Sequence, residues 1–157
     1  MASLYEYLLE QQELARKKLA DLMKKKPGAD FKQQFGKSLA NLMAIQFMIE
    51  HKNYGEGYDD KTDATPGVQR RISISIDAQR ESLLDGALVE VFQKDLVRIV
   101  FGENGSPDDL TENVIKTEDI KARFLQHTGR KDILTEDEQR EDDYWLNRTR
   151  TQAKEAR

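Results

Sequence analysis

Cysteine is absent from all 157 residues, which excludes disulfides, thiolate metal sites and cysteine nucleophiles and suits a reducing cytoplasm. Histidine is nearly absent: His51 and His127 each fall near the C-terminus of an expected helix, where a ring caps or faces solvent. No apolar run is long enough to span a bilayer, and the acidic, amphipathic start Met-Ala-Ser-Leu-Tyr-Glu does not read as a secretory leader. A cytoplasmic protein with no membrane partner is the expectation. Also missing are a Gly-x-x-x-x-Gly-Lys phosphate loop, a His-Glu-x-x-His pair and a Gly-x-Ser-x-Gly elbow. Acid pairs such as Asp108/Asp109 and Asp142/Asp143 sit on adjacent positions, whose side chains diverge on a helix. The expectation is therefore a non-enzyme with no cofactor, no metal and no catalytic residues.

What the chain does have is charge. Charged residues make up 34% and hydrophobic ones 38%, so the core is modest and the surface ionic. The net charge of −4 is unevenly spread. Met1–Lys52 holds nine basic and six acidic residues, whereas Glu103–Arg157 holds ten basic and fourteen acidic. A basic front and an acidic back fit nucleic acid at one end and a protein partner at the other.

Ser3 with Glu6 forms a capping box and opens a helix over Leu4–Lys26, with Leu4, Leu8, Ala15, Leu19 and Leu22 on one face. Lys24-Lys25-Lys26 suits the negative end of its dipole, and Pro27-Gly28 stops it. Asp30 with Gln33 repeats the cap and opens a second helix, Phe31–Ile49, so the pair forms an antiparallel hairpin. Its first half has a one-sided stripe, Phe31, Phe35, Leu39 and Leu42. In its second half, Leu42, Met43, Ile45, Phe47, Met48 and Ile49 surround the helix, and a helix apolar all round must be covered all round. With so little other apolar material, part of that cover is expected from further copies of the chain.

Residues 53–70 read as a loop or linker, with Tyr54 and Tyr58 anchoring it; its aspartates lack the spacing of a calcium loop. Arg71–Ile76 alternates strictly and reads as a short strand with Ile72, Ile74 and Ile76 on one side. Ala78–Phe101 reads as one long helix, capped by Asp77 and ended by Gly102, although Gly86 weakens it by about 1 kcal/mol. The alternative is a hairpin of Ala87–Phe92 and Leu96–Phe101. If the helix is right, the strand has no partner at home and pairs with a neighbouring subunit. Helix starts follow at Ser106-Pro107-Asp108-Asp109, Thr117-Glu118-Asp119 and Thr135-Glu136-Asp137-Glu138. The middle one buries Ile120, Phe124 and Leu125 and ends at Gly129. The last carries Tyr144, Trp145 and Leu146, followed by Arg148 and Arg150.

The expected architecture is mainly α: an N-terminal helical hairpin (1–52), the linker (53–70), a central strand and long helix that drive oligomerisation (71–105), and an acidic helical C-terminal region (106–157). Arg16, Lys17, Lys18, Lys24, Lys25, Lys26, Lys32 and Lys37 surround the hairpin turn as candidate phosphate contacts. Leu42, Met43, Ile45, Phe47, Met48, Ile49, Ile72, Ile74 and Ile76 are the candidate oligomer contacts. Tyr144, Trp145, Arg148 and Arg150 are the candidate partner-binding residues, with Trp145 as anchor.

Several segments carry a resemblance to a known family. They are Ser3-Leu4-Tyr5-Glu6-Tyr7-Leu8 with Leu19-Ala20-Asp21-Leu22, then Ser38-Leu39-Ala40-Asn41-Leu42 through Ala44–Ile49, then Leu84-Asp85-Gly86-Ala87-Leu88 before the acidic turn Gly102–Leu110. In this order the chain resembles small terminase subunits of short-tailed bacteriophages, non-enzymatic proteins that help load viral DNA into the packaging motor. The resemblance covers about two-thirds of the chain; the Gly55–Gly67 loop and the charged tail depart from it. It implies a homo-oligomeric ring built on central helices, double-stranded DNA held by the N-terminal helices, and a C-terminal segment that recruits the large ATP-hydrolysing subunit in the host cytoplasm. The competing readings are a phage head–tail adaptor or scaffold with no DNA role, and a small host-directed regulatory protein. DNA binding separates the first from the adaptor.

Overall fold

A computed structural model describes residues 2–55, 57–83 and 86–129. It is mainly helical: α1 Leu4–Lys24, α2 Phe31–His51, α3 Pro66–Leu83, α4 Gly86–Phe101, α5 Asp109–Glu112 and α6 Thr117–Thr128. The helix α1 starts as its capping box requires, with the Glu6 amide donating to the Ser3 hydroxyl at 3.2 Å. Leu4, Leu8, Ala15, Leu19 and Leu22 are all buried along its inner face. The expected Asp30 cap does not form, and α2 begins without a side-chain hydrogen bond at that position.

The helix α2 is the hub, with α1, α3, α4 and α6 all packing on it. Most of the apolar girdle in its second half is covered, and by its own chain. Leu42, Met43, Ile45 and Met48 are buried; Ile49 is partly buried against the core, and Phe47 is half-buried with its ring 4.3 Å from that of His51. Burial assigned in the sequence to sister molecules is thus supplied at home. α4 contributes Val89, Phe92, Leu96 and Val97, α6 contributes Ile120 and Phe124, and the Phe92 and Phe124 rings meet with centroids 5.8 Å apart.

The expected strand is a helix. Arg71–Ile76 lies inside α3, and Ser3↔Asp63 is the isolated β-bridge found among the described residues. Ile72 and Ile76 are one helical turn apart and buried, whereas Ile74 points out and is 63% exposed. The helical stripe extends beyond the alternating stretch to Val68 and Leu83, both packed against the core. The start signal is Thr65-Pro66: the Thr65 hydroxyl accepts from the Val68 amide at 3.3 Å, and proline occupies the first helical position. Asp77 is therefore interior to α3 rather than a cap. The described residues of 78–101 lie in α3 and α4, and Ala87–Phe92 and Leu96–Phe101 are both helical instead of a hairpin. An unpaired strand seeking a neighbouring subunit no longer exists.

The linker ends at Thr65, earlier than expected, and it is pinned down. Backbone amides of Leu4, Tyr5 and Ala64 donate to carbonyls of Thr62, Asp60 and Ala2 respectively, so the segment straps the start of α1. Both tyrosines anchor it. Tyr54 is buried and donates its hydroxyl to the Asp60 carboxylate, while the Tyr58 hydroxyl accepts from Arg71 at 3.3 Å. Lys52 Nζ reaches the other Asp60 oxygen at 3.2 Å.

Past Gly102 the chain turns through Gly105, where Asp109 accepts from the Ser106 amide at 2.8 Å and opens the short α5. The start of α6 is held from outside. Glu50 of α2 accepts the Thr117 amide at 2.9 Å, the Thr117 hydroxyl donates to the Met43 carbonyl at 3.3 Å, and Gln46 donates to the Ile115 carbonyl. Thr117 is thus buried within α6 instead of serving as its free cap. Gly129, at φ +69°, ends α6 as expected. The Thr135 helix start, Tyr144, Trp145, Arg148 and Arg150 lie outside the described residues.

Candidate nucleic-acid interface

The short α1–α2 connection and the strap joining the start of α1 to the end of α2 set these helices antiparallel. α3 then returns along α2, parallel to α1. The Tyr7 side chain of α1 meets Ser73 of α3, and one helical repeat further on Leu14 and Arg80 flank the same groove. Beyond the Tyr7–Ser73 contact, α1 and α3 pack on α2 rather than on each other, which leaves that groove open over α2 towards the hairpin turn.

The groove has a volume of about 880 Å³. α1 supplies Lys17 and Lys18, with Leu14, Ala15 and Leu22 as an apolar wall, and Lys25 at its C-cap; α2 supplies Gln34, Lys37, Ser38 and Asn41; α3 supplies Arg80. Asp21 is the one carboxylate among its described lining residues. Four lysines and an arginine against one aspartate give the groove a positive field, strengthened because the walls exclude part of the screening water.

Which cations are free decides what the groove can hold. Lys18, Lys25 and Lys37 make no ion pair among the described residues. Lys17 pairs within its helix with Glu13 at 3.4 Å, and Arg80 with Asp77 at 3.1 Å, both exposed arrangements that an incoming anion can displace.

The structure therefore divides the eight candidate phosphate contacts. Lys17, Lys18, Lys25 and Lys37 converge in the groove. Lys24 is engaged by Asp108, whose hydrogen bond holds the Lys24 ammonium pKa above its ordinary value, and Lys32 is engaged by Glu90. Lys26 is exposed outside the groove. Arg16 faces the opposite side of α1, in a crevice with Leu19, Leu42 and Leu96, and its Nε is buried without a partner. Arg80 was not among the sequence candidates. It lies fifty-four residues beyond the lysine cluster, and only the folding of α3 alongside α1 brings it there.

Among the described residues, no group of three or more His, Asp or Glu side chains converges to hold a metal ion. The His51 ring lies against that of Phe47, and His127 sits in the last turn of α6. No helix of the described residues is long and apolar enough to cross a membrane. Set against family models, curated proteins and solved structures, the chain matches none of them.

Proposed function

We propose that the chain is a non-enzymatic DNA-binding protein that grips the sugar–phosphate backbone in the groove between α1 and α3. The observation that carries this reading is the convergence of Lys18, Lys25 and Lys37, none with an ion pair among the described residues, around a groove whose described lining holds a single aspartate. Lysines that already have carboxylate partners gain little from a phosphate, whereas free ones release counterions when they meet it. The selectivity between paired and unpaired cations speaks for a ligand site over a uniformly solvated surface. The small-terminase resemblance supplies the setting, DNA packaging, in which the protein presents DNA to a large ATP-hydrolysing subunit. The self-association expected from α2 is no part of this reading, since one chain covers that helix.

The test compares two charge-neutralised variants in a fluorescence binding assay with labelled DNA. Replacing Lys18, Lys25 and Lys37 together by glutamine should abolish binding. Replacing Lys24 and Lys32 by glutamine should leave it within about twofold, since both are already neutralised. Equal losses in the two variants would reduce the groove to one part of a diffuse positive surface.

A further inference from the structure

We infer that the groove takes single-stranded nucleic acid in preference to duplex, reading its bases with the amide and hydroxyl side chains of its floor. This rests on the reading that the groove holds a nucleic-acid backbone, narrows it to one class of ligand, and departs from the double-stranded DNA that the small-terminase resemblance implies. The first ground is shape. Cations stand on both banks, Lys18 on α1 with Lys25 at its C-cap and Arg80 on α3, with α2 between them. A duplex is a convex rod whose base edges lie sunk in its grooves, and proteins read them with elements that protrude. A trough cannot reach those edges. A single strand fits it, with the backbone following the positive banks and the bases turned inward.

The second ground is the floor. Gln34, Ser38 and Asn41 follow at helical spacing along α2, Gln34 exposed, Asn41 partly exposed and Ser38 largely buried, and all three line the groove. None of their side chains has a hydrogen-bond partner among the described residues. Neutral amides and hydroxyls contribute little to phosphate attraction but match the mixed donors and acceptors of an unpaired base. A groove built for phosphate alone would be expected to place cations at these positions too. The wall opposite, where Leu14 is 52% exposed, offers an apolar surface to a base face, and the Arg80 guanidinium offers a planar one. Charge alone would admit an acidic peptide as well; the unengaged amides and the planar guanidinium favour bases.

Fluorescence anisotropy with labelled oligothymidylate, and with an oligothymidylate–oligoadenylate duplex of equal length, decides the point at matched low salt. The single strand should bind at least about fivefold more tightly than the duplex. With each of the three free lysines neutralising one phosphate, its log affinity should fall against log salt with a slope of about −2. The combined variant Gln34→Ala, Ser38→Ala, Asn41→Ala should weaken single-strand binding about tenfold while leaving the salt slope unchanged. Its helical circular dichroism should match that of the parent protein, since all three residues have exposed or hydroxyl-sized side chains on one helix.

A duplex that binds as tightly as the single strand, or a floor variant that leaves single-strand affinity unaltered, overturns this inference but leaves the backbone reading standing. Polyglutamate displacing the oligothymidylate at equal charge concentration assigns the groove to acidic peptides and overturns it too. If neither nucleic acid binds at low salt, the inference and the reading beneath it fall together.

Discussion

Gly105 has no room for a side chain. A Cβ there would lie 2.8 Å from the Val97 carbonyl oxygen and 2.9 Å from the Phe101 Cβ, contacts closer than packed carbon tolerates. Gly105→Ala should therefore cost about 1–3 kcal/mol by pushing the turn away from the end of α4, measurable as a lower urea midpoint. By contrast, Gly28→Ala meets nothing within 4 Å and should be near neutral. Tyr54 and Asp60 make a second prediction at this scale. Burial raises the Tyr54 hydroxyl above its ordinary value of 10.0, and the hydrogen bond to Asp60 adds to the rise. The same bond, aided by Lys52, holds Asp60 below 3.8. The lowered carboxylate contributes stability that is present above pH 3.8 and is lost as pH falls through its folded value. The raised phenol contributes stability present below pH 10.0 and lost as pH rises beyond it. Tyr54→Phe should reduce stability at neutral pH and flatten the profile at both extremes. Unfolding midpoints across that range check it; a variant whose acid and alkaline limbs match those of the parent would contradict it.

At the scale of elements, α1, α2 and α6 were legible from apolar stripes at helical spacing, with the Ser3 cap opening α1 and Gly129 ending α6, although the Asp30 and Thr117 caps do not form. α3 was not, and the reason lies in its residues. Ile72, Ile74 and Ile76 satisfy a period of two, yet Ile72 and Ile76 alone also satisfy a helical turn, so a six-residue window cannot separate the two periods. Val68 and Leu83 break the tie for helix, as does Thr65-Pro66 at its start. The helical assignment has a direct consequence. Ile72→Lys should destabilise strongly, by about 3 kcal/mol or more, because it buries a charge against α2. Ile74→Lys should stay within about 0.5 kcal/mol. In a half-buried strand the two substitutions would behave alike. Thermal unfolding of both variants distinguishes the cases. The strap over residues 53–65 was half legible: its tyrosines read as anchors, but only the hydrogen bonds to Ala2, Leu4 and Tyr5 reveal that it organises the N-terminus.

For the whole molecule, the sequence showed that α2 needs cover on every side, and composition suggested that one chain is too poor in apolar residues to provide it. The missing material proved to be α3 and α4, whose apolar faces were assigned to a strand and to a single long helix. With Met43 and Met48 enclosed by their own chain, Met43→Ser should act as a core substitution. It should lower stability by about 2–5 kcal/mol irrespective of protein concentration, as unfolding at two concentrations would reveal. The basic hairpin was likewise legible as a patch but not as a site. Spacing along α1 could not tell that Asp108 and Glu90 occupy Lys24 and Lys32, or that Arg80 arrives opposite Lys18. Those facts depend on contacts between residues tens of positions apart, which single-chain pattern reading does not reach.

DNA held in the groove, rather than on the basic surface as a whole, would leave a footprint on the groove lysines alone. Lysine acetylation with and without bound DNA, read residue by residue by mass spectrometry, tests it most directly. Lys18, Lys25 and Lys37 should be protected several-fold when DNA is bound, while Lys24, Lys26 and Lys32 react at the same rate in both states. Uniform protection across all six, or protection of Lys26 with Lys18 and Lys37 left reactive, would contradict the account.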